Sequence, residues 1–149
     1  MKLGQIRPLV IGIFLKEGKI LINKFYDPVT QELGCRPLGG GIEFGETSRQ
    51  ALMREIQEEI GEEIKNIEYL ATLENIFNYA GQPCHEIVQI YNAEFVDESL
   101  YQQEFIVGYE SDGVIFNATW IDLAKFNSAL PLYPLGLLNL LTHTKDSSI

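Results

Sequence analysis

A run of glycines leading straight into an amphipathic helix is the strongest constraint on how this chain folds. Gly39, Gly40 and Gly41 are consecutive, and Gly45 follows after Ile42-Glu43-Phe44. Without side chains, such a stretch lets backbone amides and carbonyls approach other groups closely. Thr47 to Ile60 then carries helical periodicity. Thr47 with Gln50 makes a capping-box pattern, and Gly61 stands where a helix C-terminal glycine belongs. Leu52, Met53, Ile56 and Ile60 recur as one apolar stripe, and Glu55, Glu58, Glu59 and Glu62 recur on a different face. The like-charge pairs on that acidic face oppose the helix by about 1–2 kcal/mol at low salt. A solvated face would tolerate this repulsion. A hard divalent cation would instead convert it into binding energy, because Mg²⁺ takes carboxylate oxygens and keeps waters and substrate phosphates as its other ligands. Such a site suits attack of water on a phosphate.

The rest of the chain supplies strands. Leu9 to Leu15 has the continuous apolar character of a strand buried on both faces, and Glu17-Gly18 turns it into a returning strand at Lys19 to Phe25. Asp27-Pro28 opens a loop. Ile67 to Tyr79 and Glu86 to Val96 read as two strands joined around Gly81-Gln82-Pro83, and Val114 to Ile121 as another. Leu123 to Phe126 suits a short helical turn, and Leu132 to Thr142, with Pro134 near its start, suits a helix packing its leucines. Strands and helices interleave without regular βαβ alternation, so the expected class is α/β, a mixed sheet with helices on both sides. No repeat, low-complexity tract or linker interrupts the 149 residues, which predicts one domain over 1–149.

Charge narrows the function. Eleven basic against 21 acidic residues leave a net charge of −10. That disfavours a sequence-blind binder of long nucleic acid, which needs a basic surface, and attraction to an anionic membrane. Small anionic substrates remain open, because a bound cation inverts the local field. The opening residues do not form a secretory signal, since the apolar run is short and broken by Gly12, and no stretch is long enough to span a membrane. Cys35 and Cys84 lack CxxC spacing, so neither a disulfide framework nor a zinc site is suggested. Two isolated thiols point to a reducing, cytoplasmic setting.

From Gly40 the chain reads Gly40, five residues, Glu46, seven residues, then Arg54-Glu55-Ile56-Gln57-Glu58-Glu59-Ile60-Gly61-Glu62. This resembles the Nudix box, G-x5-E-x7-R-E-U-x-E-E-x-G-U, where U is a bulky apolar residue. The match spans 23 residues and departs only at Glu62, which replaces an apolar residue. The resemblance implies a Nudix-like α/β/α sandwich. It also implies a hydrolase that uses Mg²⁺ or Mn²⁺ to split a pyrophosphate bond in a nucleoside diphosphate linked to another group, such as a dinucleoside polyphosphate or nucleotide sugar. A homodimer is the family's common habit.

Carried over by position, the resemblance implies Glu58 and Glu59 as principal metal ligands and Glu55 as a ligand or the base near the attacking water. The carbonyl of Gly39 or Gly40 would add a ligand, Arg54 would orient the glutamates, and Glu46 would support the junction of loop and helix or a second metal. An extra carboxylate from a distant loop is expected at Glu110, with Glu104 second. Arg7, Lys24 and Arg36 are the scarce cations near the site, and Arg36 is the leading candidate for the distal phosphate. Tyr79 lies 17 residues after the box, a spacing associated in the family with diadenosine polyphosphate hydrolases. Tyr79 or Phe77 is thus a candidate base-stacking aromatic.

Other residues suit plainer roles. His85 follows a turn, where a histidine is more often hydrogen-bonded than catalytic, and His143 is placed to meet a helix dipole. Two competing functions remain: a nucleotide-sensing module that kept the fold and lost catalysis, and an isomerase of isoprenoid diphosphates. The complete Glu55, Glu58 and Glu59 set opposes the first. The second needs a cysteine-glutamate pair that Cys35 and Cys84 do not obviously supply.

Overall fold

The computed structural model describes residues 4–146. β1 (Ile6–Ile13) is the buried strand, and its alternation divides the interior in two. Val10 points into one core, while Leu9, Ile11 and Ile13 point into the other. β2 (Leu15–Lys16) returns through Glu17 and Gly18, at φ of 49° and 80°, into β3 (Lys19–Asp27). The expected hairpin is therefore formed by β2 and β3 and not by the buried strand itself.

Three segments without a strand pattern in the sequence are strands. β4 (Glu32–Arg36) pairs antiparallel with the outer half of β3, from Asn23 opposite Arg36 to Asp27 opposite Glu32. β5 (Leu38–Gly41) takes up all three consecutive glycines and pairs antiparallel with β1. A Cβ added at Gly39, whose φ is 155°, would run into the Val10 carbonyl, so this pairing requires glycine. The third, β8, follows below.

The helix α1 (Ser48–Ile60) forms as its signals predict. Thr47 accepts from the Gln50 amide, Gln50 accepts from the Thr47 amide, and Gly61 closes the helix in the left-handed conformation. Ala51, Leu52 and Ile56 are buried, but Met53 is exposed, which narrows the expected stripe. After it come β6 (Ile64–Tyr79) and β7 (Gln82–Phe95), joined by a tight turn at Ala80 and Gly81, so Gln82 and Pro83 belong to the strand. β8 (Phe105–Tyr109) and β9 (Ile115–Asp122) make the next hairpin, and a 3-10 turn at Leu123–Lys125 follows.

The last helix, α2 (Leu137–Asp146), begins later than Leu132. Residues before it are engaged elsewhere: Cys35 donates its amide to Pro131, and Tyr133 donates to the Cys35 carbonyl, at 2.9 and 2.7 Å. The Tyr133–Pro134 bond is cis. The leucine packing holds, with Leu137 and Leu141 buried.

One sheet has the order β5-β1-β7-β6, mixed because β1 and β7 run parallel. The other has the order β2-β3-β9-β8, with β4 added to β3. α1 covers one side with Val10, Phe14, Leu21 and Leu38, where Phe14 and Phe95 stack at 4.1 Å. α2 covers the other with Leu9, Ile11, Ile20 and Ile22. This is the α/β/α layering expected. Cys35 and Cys84 are buried free thiols.

Two hairpins project beyond the layers and are tied at their ends. The buried Asp27 carboxylate accepts amides from Val29 at 2.9 Å and Ala80 at 3.2 Å, and the Tyr79 hydroxyl donates to the Tyr26 carbonyl at 3.1 Å. Among the described residues no helix is long and apolar enough to cross a membrane. Replacing Thr47 by Ala removes the α1 cap. It should lower stability by about 1 kcal/mol, a drop of a few degrees in thermal denaturation, whereas Thr47→Ser should keep most of it.

Candidate active site

The site grows from the junction of β5 and α1. The guanidinium of Arg54 lies across this junction and uses its donors on four partners. Nε and Nη2 donate to the two oxygens of Glu46 at 3.0 and 2.6 Å, a bidentate pair. Nη2 also donates to the Gly41 carbonyl at 2.8 Å. Nη1 donates to Glu55 at 2.9 Å and to Glu58 at 3.3 Å. Glu46 in turn accepts the Glu43 amide at 2.9 Å. The Arg54 hydrogen bonds, with that amide, hold the Glu46 carboxyl down to about 2, and the same contacts raise the already high pKa of Arg54.

Glu55 and Glu59 face the glycine strand. A Cβ at Gly40 would occupy the space taken by the Glu55 carboxylate, so Gly40 is the residue that lets this acid lie against the backbone. Glu59 accepts the Gly39 amide at 3.2 Å. Burial, and after it the charges of Glu55 and Glu110, push the Glu59 carboxyl up to about 8 despite the Gly39 amide and Arg36. Burial also raises Glu55, against the pull of Arg54. Glu110 arrives from the turn after β8, where the Asn23 side chain donates to it at 3.0 Å.

These groups line a cleft of 510 Å³ between α1, β5 and the β8–β9 turn, with Arg7 and Arg36 also in its wall. Of the four glutamates on the helix face, Glu55, Glu58 and Glu59 line it and Glu62 does not. A second chamber of 350 Å³ adjoins the first and shares Arg7, Asn23, Arg36 and Glu110 with it. Its walls are the two projecting hairpins, with Phe25, Phe77, Tyr79 and Tyr133 as rings. Phe25 meets Tyr79 edge-on at 6.1 Å and Tyr133 at 5.6 Å. At the boundary Arg36 pairs with the buried Glu86 at 3.5 Å.

Several expected residues lie elsewhere. Glu104 and Lys24 line neither chamber. His85 also lies outside both, with a buried Nε2 that has no hydrogen-bond partner among the described residues. His143 Nδ1 meets the Asn139 carbonyl at 2.8 Å, one turn back along α2. Conversely, Asn23 lines both chambers, and Asn75 and Glu86 line the second, with no motif or spacing in the sequence that places them there. Each sits on a strand whose alternation gives its facing but not what it faces.

The oxygen donors suit a hard cation: three carboxylates of α1, Glu110, and a backbone carbonyl opened by the glycines. Among the described residues no three acidic, histidine or cysteine side chains already converge as a ligand set. Here Glu55 and Glu58 turn onto Arg54, and Glu59 turns onto the Gly39 amide.

The family model described as NUDIX domain matches residues 6–137. The fold is similar to a MutT NUDIX hydrolase from Burkholderia pseudomallei, with TM-score 0.62 and 22% identity over 92% of this chain and 97% of that one. A NUDIX hydrolase from Nitrosomonas europaea matches with TM-score 0.62 and 14% identity, over 96% and 90% of the two chains. A UDP-X diphosphatase matches with TM-score 0.63 and 15% identity, over all of this chain and 67% of the other. The match across nearly the whole fold, with the complete glycine-to-glutamate signature on β5 and α1, places the chain in the NUDIX domain family, as a Nudix-type pyrophosphohydrolase.

Proposed function

We propose that this enzyme uses Mg²⁺ or Mn²⁺ to hydrolyse the pyrophosphate bond of a nucleoside diphosphate linked to a second moiety. The observation that carries this reading is the shared wall of the two chambers. Acids gather in one, aromatic rings in the other, and Arg7 and Arg36 stand at the passage. A charged diphosphate bridging a flat base and another group matches that division. A cytoplasmic small-molecule nucleotide is compatible with the acidic balance of the chain because the bound cation would invert the local field.

Glu55, Glu58, Glu59, Glu110 and the Gly40 carbonyl are the proposed holders of the cation. Bound there, it would supply an acidified water and screening of the diphosphate charge. Glu55 is either one of those holders or the carboxylate that would take the proton of the attacking water. Arg54 keeps Glu55 and Glu58 on one side of the helix and fixes the Gly41 carbonyl, a positioning role. Arg36 holds the distal phosphate, and Tyr79 or Phe77 supports the base.

A screen of nucleotide derivatives with added Mg²⁺ or Mn²⁺ should release phosphate-containing products, and chelator should abolish release. Glu59→Gln should lower turnover by roughly 10²-fold or more with its circular dichroism unchanged. Full activity in that variant, or in chelator, overturns the mechanism.

Arg54→Ala leaves Glu46 and Glu55 unpaired in a half-buried setting. It should cost about 1–3 kcal/mol of stability and most of the turnover, and Arg54→Lys should restore charge but not the four-partner geometry. Denaturant unfolding alongside rate measurements separates the two effects.

Glu59 also predicts a pH dependence in the metal-free protein. Its folded pKa of about 8 exceeds the ordinary 4.5, so between these values the folded state holds more protons than the unfolded one. Stability should therefore fall as pH rises through that window and then level. Melting curves of Glu59→Gln should show a flatter decline, and an unchanged decline would reject Glu59 as its source.

A further inference from the structure

The strand pairing sets out the second chamber as a graded path. Asn75, Phe77 and Tyr79 recur at every second position of β6 and line the chamber, as does Asn78 near the tip. At about 3.3 Å per residue, the alternating three stand roughly 7 Å apart in turn, running outward to the hairpin tip. Glu86 lies opposite Asn75 in the pairing, at the inner end, and contacts Arg36. Moving outward from the acids of the cleft, the order is the two arginines, then Glu86 with Asn75, then the rings. A nucleoside diphosphate has the same order of parts: phosphates, sugar, base.

Glu86 is the buried acid that the proposed mechanism does not use, with 1% of its surface exposed. Its two contacts, Arg36 at 3.5 Å and Asn75 at 3.4 Å, are long and both fall on Oε1. Oε2 takes no hydrogen bond from the described residues, although the side chain forms part of the chamber wall. Both contacts on Oε1 are from donors, and a carboxylate facing a guanidinium accepts, so the ligand group that completes it must donate. At the sugar level of the path, the donors available are hydroxyls.

We propose that Glu86, with Asn75 beside it, accepts hydrogen bonds from the vicinal 2′- and 3′-hydroxyls of a ribose, so that the enzyme selects ribonucleoside over 2′-deoxyribonucleoside diphosphate derivatives. This rests on the nucleotide hydrolase reading above and names the substrate class within it. A 2′-deoxy sugar leaves a buried acceptor unpaired, which is the arrangement that rejects an analogue most strongly.

The test uses the 5′-monophosphates of the four common bases, each as ribo and 2′-deoxy forms, titrated calorimetrically into the wild-type protein. These probes contain no phosphoanhydride bond, so binding is read without turnover. For the base that binds tightest, the ribo form should bind about tenfold or more tighter than the deoxy form. Glu86→Gln should weaken the ribo form more than the deoxy form and bring the two within about threefold. Equal binding of ribo and deoxy forms by the wild type overturns the proposal and leaves Glu86 as the anchor of Arg36 alone. That comparison needs no variant, so a misfolded Glu86→Gln does not blunt it. Absence of binding by every probe also overturns it. Failure of the hydrolase reading shows separately, as no metal-dependent release from any diphosphate derivative.

Discussion

The guanidinium of Arg54 is the contact on which the site depends. An α-helix that carries three acids toward one cleft works against its own electrostatics, and Arg54 answers this from within the same helix. Two of its partners, Glu46 and the Gly41 carbonyl, belong to the segment before the helix. One side chain thereby fixes the height of α1 over β5 and neutralises part of the charge that the helix collects. A lysine has one point charge and no fork, so the geometry is specific to arginine.

The glycines complete that fit from the other side. β5 runs along β1 because Gly39 adopts a backbone conformation a side chain would block, and Gly40 leaves room for the Glu55 carboxylate. The strand that carries no side chains is consequently the floor of a site made of side chains from α1. The cost is the burial of acids beside one another: burial first, and neighbouring carboxylates after it, raise the Glu59 and Glu55 carboxyls.

Much of this was legible in the residues. Thr47, Gln50 and Gly61 marked the ends of α1 through local hydrogen bonding, which depends on nearby sequence alone. The burial of β1 on both faces was legible from its continuous apolar run, although the strand begins at Ile6 and ends at Ile13. β4, β5 and β8 were not, because each short run contains glycine, which has no facing to read, and β5 also pairs with β1 far back along the chain. The start of α2 shifted to Leu137 because Pro131 and Tyr133 answer Cys35, nearly a hundred positions earlier. The acids of α1 were found by their spacing, whereas Glu86 and Asn75 acquire meaning only when the two hairpins stand opposite Arg36.

Arg36, with Arg7, Asn23 and Glu110, belongs to both chambers, whose remaining walls differ. The acids and glycines sit on α1 and β5, while the rings sit on β3, on β6 and ahead of α2. Asp27 locks the outer ends of the two hairpins together without touching either β5 or α1. The walls of the second chamber can therefore change along the hairpins while the acids and glycines of α1 and β5 keep their places.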